Sequence, residues 1–318
     1  MAAPQLILGL SAVIVTVTEE AAFVLVTAAG DGFSLPFGPF DPAGDRTLEL
    51  SLRRWVSDQT GFEIGYVEQL YTFGDRGRET PLPEASAPDR LISVGYLALT
   101  PDKAALAAPG AQWRDWYRCF PYEDWRGGRP AVIDRAIAPA LTAWAQTGPP
   151  DQRDARRTRA RLAFALDGAP WNEERALERY ELLYEAGLTP ESWRDREAAP
   201  LSVSLVAAVG EAMLADHRRI LATGISRLRG KLKYRPIVFE LAPERFTLGW
   251  LQLIVEAISG LELHKQNFRR LLERTGLVEG TGLMEARTGG RPAELFRFRR
   301  EVLRERPVGG VHVPTPKE

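Results

Sequence analysis

Residues 246–298 limit most strongly what this chain can become. They hold two short amphipathic segments followed by a basic, glycine-punctuated run. Thr247 is a suitable N-cap for a helix over residues 248–258, with Leu251, Ile254, Val255 and Ile258 on one apolar face. Gly260 permits the turn out of it. The spacing predicts a second helix over residues 265–274, closed by Gly276 as a left-handed cap. Phe268, Leu271 and Leu272 form its apolar stripe, and Lys265, Gln266, Asn267, Arg269, Arg270 and Arg274 cover the remainder. Amide and cationic side chains on such a helix can hydrogen-bond base edges and phosphates in a major groove.

Next come Leu277-Val278, a glycine-rich loop, and Gly289-Gly290-Arg291-Pro292-Ala293 leading into Leu295-Phe296-Arg297-Phe298. Two helices and a hairpin predict a winged helix-turn-helix, with Arg291, stiffened by Pro292, reaching into the minor groove. The plainer reading is a small amphipathic domain whose arginines are solvated. Charge distribution favours the first. Net charge is −1, yet residues 217–318 hold 20 Lys and Arg against 11 Asp and Glu, whereas residues 1–216 hold 21 against 31. A basic, polyanion-binding C-terminal part is thus joined to an acidic N-terminal part.

At 318 residues the chain has room for two or three domains. The apolar start is interrupted by Thr18, Glu19 and Glu20 and lacks a basic leader region. This predicts no signal peptide, no membrane partner and a cytoplasmic location. Cys119 is the single cysteine, so an internal disulfide framework and a cysteine-based zinc site are excluded. His217, His264 and His312 are scattered, and no P-loop or GxSxG motif occurs. The expectation is therefore no catalytic residues, no metal and no bound cofactor.

Residues 6–26 read as two strands with a turn near Thr18. Residues 48–60 have helical spacing, with Leu48, Leu52 and Val56 on one face and Gly61 ending the helix. Residues 64–71 and 91–99 read as further strands. This order, and the register of Gly61, resembles the Nudix box, G-x5-E-x7-R-E-U-x-E-E-x-G-U. Arg54, Val56, Gly61 and Phe62 fall on its arginine, apolar and glycine positions. Its glutamates fall on Arg46, Trp55, Asp58 and Gln59, and its first glycine on Phe40. The family's glutamates hold divalent cations through converging carboxylates, so the resemblance implies a Nudix fold without hydrolysis.

Further blocks resemble the NrtR-type regulators of NAD metabolism. They are Glu68 to Asp75, Val94 to Leu99, Asp216 to Leu221, Tyr234 to Leu241, Asn267 to Arg270 and Gly290 to Phe298. WYRCFPYEDWRGGRPAVID and PWNEERALERYELLYEAGL are similar to a longer alphaproteobacterial subgroup often called NadQ. The resemblance implies an α+β chain, with an N-terminal Nudix-like α/β/α sandwich carrying a helical insertion and a C-terminal winged helix-turn-helix. The expected layout is a ligand-sensing domain over residues 1–200, with 105–200 as a family-specific extension. A connecting helix over 201–235, a winged helix over 236–306 and a tail over 307–318 follow.

Within residues 105–200, the aromatic cluster Trp113, Trp116, Tyr117, Phe120, Tyr122 and Trp125 reads as core packing, or alternatively as a wall that stacks a base. Residues 133–144 and 172–186 read as helices, and 147–161 as an arginine-rich linker. Arg227, Arg229, Lys231 and Lys233 alternate near the end of the connecting helix, either solvated or contacting backbone phosphate.

By resemblance, the protein is a homodimeric repressor on palindromic double-stranded DNA, governed by an adenine nucleotide such as ADP-ribose, NAD or ATP. The DNA-contacting residues would be Lys265, Gln266, Asn267, Arg269, Arg270, Arg274, Arg291 and Pro292. Arg54, Arg76 and Arg78 are the candidates for the nucleotide's phosphates. A weak Nudix hydrolase of nucleoside diphosphate derivatives and a protein-binding scaffold are the alternatives.

Overall fold

The computed structural model describes residues 5–18, 21–30, 32–78, 90–101, 106, 108–198, 205, 208–285 and 292–299. Its centre is a seven-stranded sheet. Five strands lie in the order β3-β2-β1-β6-β5, with β4 paired to β1 and β7 to β2. The strands are β1 (Leu6–Val17), β2 (Ala22–Ala29), β3 (Gly32–Ser34), β4 (Phe37–Pro39), β5 (Tyr66–Phe73), β6 (Arg90–Leu99) and β7 (Ala111–Asp115). β1 and β6 run parallel in register from Leu6 opposite Arg90 to Val15 opposite Leu99. Both are almost continuously apolar, as a strand covered on two faces requires.

Alternation along β1 divides the core in two. Leu10, Ala12 and Ile14 face α1 (Leu48–Thr60), which buries Leu52 and Val56 among them. Thr47 caps this helix by accepting the Leu50 N–H, and Gly61 closes it at φ 69°. Val13, Val15 and Val17 face the opposite way, into a larger core with Ile220, Leu221, Ile225 and Leu228 of α6 (His217–Tyr234). Gly224 makes the close approach possible, since a Cβ there would stand 2.9 Å from Val13.

α6 is therefore the second outer layer of the sandwich. This corrects the connecting helix expected over 201–235. Gly210 (φ 100°) and Ala215 (φ 45°) break the helical path. Backbone N–H groups ahead of α6 are also bonded elsewhere: Glu211 to the Arg118 carbonyl, Met213 to the Glu191 carboxylate and Leu214 to the Phe33 carbonyl. The sandwich is discontinuous in sequence, and the segment between β7 and α6 is an insertion lying on the α6 side.

That insertion holds α2 (Ala138–Thr147), preceded by one π-helical turn at Ile133–Ile137, then α3 (Pro150–Phe164), α4 (Ala176–Glu185) and α5 (Pro190–Arg196). The linker expected over 147–161 is helical as α3. Pro150 opens it, arginine and alanine favour helix, and Ala160, Ala163 and Phe164 anchor its end in the core. The aromatic cluster is mainly core: Trp116, Tyr117, Phe120 and Tyr122 are buried, while Trp113 and Trp125 are half-buried. Burial also pushes the Cys119 thiol up to about 12, so it serves as a small core residue.

Of the alternating cations at the end of α6, Arg229 is buried and bonded to Glu123. Lys231 pairs with Glu68, and Lys233 with Glu173 and Glu174. Arg227 is the exposed member, 3.7 Å from Glu68. The four therefore do not act as one stripe turned to solvent or to DNA backbone phosphate.

Glu123, Arg179 and Arg229 have no exposed side-chain surface. Arg179 Nη2 donates to Glu123 Oε2 at 2.8 Å and Nη1 to the Asn172 carbonyl at 2.9 Å. Arg229 reaches the same carboxylate, and its Nε donates to the Ile258 carbonyl at 2.9 Å. Burial opposes ionisation of Glu123, but the two guanidiniums override it and hold the carboxyl below its usual range. Glu123→Ala would leave two guanidiniums facing each other in the interior. Urea unfolding should register a loss of about 3–5 kcal/mol.

His217 supplies a pH signature. Buried, it accepts the Leu35 N–H on Nδ1 at 2.9 Å. Burial, with a smaller contribution from Arg194, pushes its pKa down from 6.5 to about 3. The folded state keeps it neutral while the unfolded chain takes up a proton. Its stabilisation is thus complete above about pH 6.5 and lost as pH falls toward 3. Against His217→Asn, wild-type stability should fall by up to about 1.4 kcal/mol per pH unit in that window. A pH-independent difference in urea titrations would exclude His217 as the acid-sensitive group.

Candidate functional site

The C-terminal domain is built on a three-stranded sheet ordered β8-β10-β9, from β8 (Phe246–Thr247), β9 (Val278–Glu285) and β10 (Ala293–Phe298). Thr247 caps α7 (Leu248–Ser259) by accepting the Trp250 N–H at 3.0 Å. The turn into α8 (Lys265–Thr275) is fixed by Glu256, which accepts the Leu263 N–H at 2.9 Å, and by Gln252, which donates to the Leu263 carbonyl at 2.8 Å. Gly260 at φ 73° is doubly required there, because a Cβ would stand 2.3 Å from the Glu123 carbonyl oxygen.

α8 turns Phe268 and Leu272 inward and caps at Gly276, φ 61°. Lys265, Gln266, Asn267, Arg269, Arg270 and Arg274 are exposed on its outer surface. Arg270 is preordered along the helix, with Nη2 donating to Asn267 Oδ1 at 2.8 Å. Among the described residues, Lys265, Arg269 and Arg274 form no ion pair. A groove of about 1050 Å³ separates α8 from the wing and brings Lys265, Arg269 and Pro292 together. Arg245 and Trp250 also line it, as do Glu273, Glu285 and Glu294. Sequence reasoning missed Arg245, although a cation directly before the strand that pairs with the wing was a usable signal. Arg291 lies outside the described residues.

Arg54, Arg76 and Arg78 are not gathered into one site. Arg54 sits on α1, half-exposed and paired with Asp45 at 2.7 Å. Arg78 belongs to the opposite side of the sheet: it pairs with Asp216 at 3.0 Å and Glu181 at 3.3 Å, and its guanidinium lies 3.8 Å from the Tyr184 ring centroid. Burial lifts the Asp216 carboxyl to about 6, against the pull of Arg78 and Arg219. Arg76 is exposed on the turn after β5. Two of the three, Arg54 and Arg78, are paired with the protein's own carboxylates.

On α1, Trp55 Nε1 donates to the Pro39 carbonyl at 2.7 Å, and its ring occupies the space a side chain at Gly38 would need. Gln59 Oε1 accepts the Phe37 N–H at 3.1 Å, and Asp58 is exposed. A pocket of about 420 Å³ at this end includes Thr27, Ser34, Phe37, Gln59 and Pro109 and no arginine. Among the described residues, no cluster of His, Cys, Asp and Glu could hold a metal ion. No helix among them is long and apolar enough to cross a membrane.

A larger cleft of about 770 Å³ lies on the far side of the sheet, between β5, α4 and α6. Its walls include Leu70, Phe73, Leu177, Arg219, Arg227 and Lys231. The sequence marks parts of these walls, in residues 68–75 and 216–221 and at Arg227 and Lys231, but not their meeting, because they come from three distant segments.

The geometry defines an α+β chain of two parts, a Nudix-like α/β/α sandwich with a helical insertion and a winged helix. Residues 238–298 match the family model described as the NrtR DNA-binding winged helix domain, so this part is an NrtR-type winged helix. Over 83 residues the chain is 41% identical to the "ADPR responsive transcriptional repressor NtrR" of Acinetobacter baylyi, covering 26% of this chain and 33% of that protein. The chain thus matches about one third of the length of that curated relative. Its fold is similar to Shewanella oneidensis NrtR crystallised with a 27mer DNA, with TM-score 0.55 and 18% identity over 96% of this chain and 99% of that one. It is also similar to a MutT/nudix family protein from Enterococcus faecalis, with TM-score 0.53 and 15% identity over 94% and 88% of the two chains. These likenesses show the fold: a Nudix-like sandwich joined to a winged helix, as in S. oneidensis NrtR.

The three arginines should separate on mutation. Arg78→Ala removes a partner from the buried Asp216 and the half-buried Glu181 and should cost about 3 kcal/mol in urea unfolding. Arg54→Ala and Arg76→Ala should each stay under about 1 kcal/mol.

Proposed function

We propose that the chain is a DNA-binding transcriptional repressor of NAD-biosynthesis genes, acting in the cytoplasm as a homodimer and released from DNA by an adenine nucleotide. The observation that carries this reading is the α8 face. An NrtR-type winged helix presents Lys265, Gln266, Asn267, Arg269, Arg270 and Arg274 together, with Phe268 and Leu272 holding the helix from behind. A two-fold dimer would set two such helices on the half-sites of a palindrome. The A. baylyi relative's description as an ADPR-responsive repressor supports ADP-ribose as the first effector to try, ahead of NAD and ATP.

The Nudix-like domain senses and does not hydrolyse. Divalent-metal catalysis of diphosphate cleavage needs several converging carboxylates. The positions matching the family's metal-binding glutamates carry Trp55, engaged with Pro39, Gln59, engaged with Phe37, and the lone carboxylate Asp58. This donor set does not fit a magnesium site. The hydrolase alternative requires magnesium-dependent turnover of ADP-ribose that drops with Asp58→Ala.

Gel shifts on DNA upstream of NAD-biosynthesis genes, with and without ADP-ribose, test the reading. Arg270→Ala should weaken operator binding by roughly tenfold or more, as loss of a base-edge contact costs about 1–3 kcal/mol. Lys265→Ala should weaken all sequences alike and lower the salt slope by roughly one. Unchanged binding in both variants would remove α8 as the reading head, and binding with little salt dependence would favour the protein scaffold.

A further inference from the structure

We infer that the effector site is the cleft between β5, α4 and α6, and that it takes a phosphate-bearing ligand with a flat apolar body, as a nucleotide has. This rests on the effector-sensing reading above and moves the site away from the α1 face. Its volume, about 770 Å³, lies in the range of small-molecule pockets. Leu70 and Phe73 of β5 and Leu177 of α4 give it an apolar wall, and Tyr71, mostly exposed, stands beside them.

The opposite wall is one face of α6. Arg219, Thr223, Ser226, Arg227, Gly230 and Lys231 recur at three- and four-residue spacing, and Arg235 follows the helix end. Charge along this wall is uneven. Arg219 is held by Asp75, Glu181 and Asp216, so that end carries no cation to spare. At the other end Arg227 and Lys231 share Glu68, which also accepts from the Tyr66 hydroxyl, while the charges of Arg235 and Glu240 both act on Tyr66. The anionic group belongs at this end, where guanidiniums suit phosphate oxygens.

The cleft's walls are also the helices of the buried ionic centre. α4 contributes Leu177 to the cleft and Arg179 to Glu123, while α6 contributes Arg227 and Lys231 to the cleft and Arg229 to Glu123. Arg229 in turn holds the end of α7 through the Ile258 carbonyl. A ligand that changes the spacing of α4 and α6 therefore acts on the attachment of the winged helix.

The test is calorimetric titration of the full chain with ADP-ribose and with inorganic phosphate. Variants are Arg227→Ser with Arg235→Ser, which strips the exposed cations, and Gly230→Leu, which fills the cleft. At Gly230 a Cβ meets nothing nearer than 3.4 Å, and leucine favours helix, so the second variant keeps the fold. ADP-ribose affinity should fall at least tenfold in both and stay unchanged in Arg54→Ser on the α1 face. Inorganic phosphate should bind more weakly than ADP-ribose and be lost only on removal of the arginines.

Equal ADP-ribose binding by wild type and both cleft variants would overturn the assignment, as would loss in Arg54→Ser alone or no binding of either probe by wild type. Phosphate binding as tightly as ADP-ribose would overturn the apolar subsite. Nucleotide-free gel shifts of the same proteins judge DNA recognition separately: operator binding that survives without ADP-ribose binding sinks this inference and leaves the DNA reading intact.

Discussion

The Glu123 carboxylate, locked between Arg179 and Arg229 with no access to water, is the interaction on which the rest of the molecule depends. An isolated carboxylate or guanidinium in such a place would be strongly unfavourable, so each of the three requires the other two. They come from the aromatic segment, from α4 and from α6, and their spare donors end on carbonyls of Asn172, Glu173 and Ile258. The arrangement specifies which helices lie together more than it adds stability. It also brings the backbone of residues 123–125 against the end of α7, where Trp125 donates its N–H to the Gly260 carbonyl at 2.7 Å. The winged helix is held by a buried joint as well as by its covalent link.

Around this joint the insertion follows from the sheet. A strand pair covered on both faces needs two helical layers, and β1 with β6 has α1 on one side and α6 on the other. Once α6 closes the second face, extra helices can only pack further out, against α6 itself. They do so through Tyr180, Leu182 and Leu183 of α4 and the aromatic segment before it. The insertion creates one wall of the basic cleft and completes the ionic centre.

Much of this was legible in the sequence where one local rule decided the outcome. α1 begins at Thr47 and ends at Gly61, and α7 and α8 take the expected caps, because side-chain caps and left-handed glycines act over three or four residues. The exposed face of α8 was legible for the same reason. Tertiary demand decided the rest. α3 looked like a linker because its sparse anchors, Ala160, Ala163 and Phe164, give little amphipathic signal. The start of α6 was read too early because Gly210 and Ala215 break a run whose composition still favours helix. Arg78 looked available for phosphate because its partners, Glu181 and Asp216, lie more than 100 residues away in the chain. The arginines expected to meet a nucleotide's phosphates were the least legible, since ion pairing depends on folded proximity and leaves no periodic trace.

The discontinuity of the sandwich also has a consequence in time. A chain is made from its N-terminus, at about 5–20 residues per second. β6 ends at Leu99, and α6 begins only at His217. The face formed by Val13, Val15, Leu97 and Leu99 therefore waits on the order of 10 s for the helix that covers it. During synthesis this sheet is a half-finished surface, apolar and open, and among the described residues the aromatic segment beginning at Trp116 is the first after β6 to join its core.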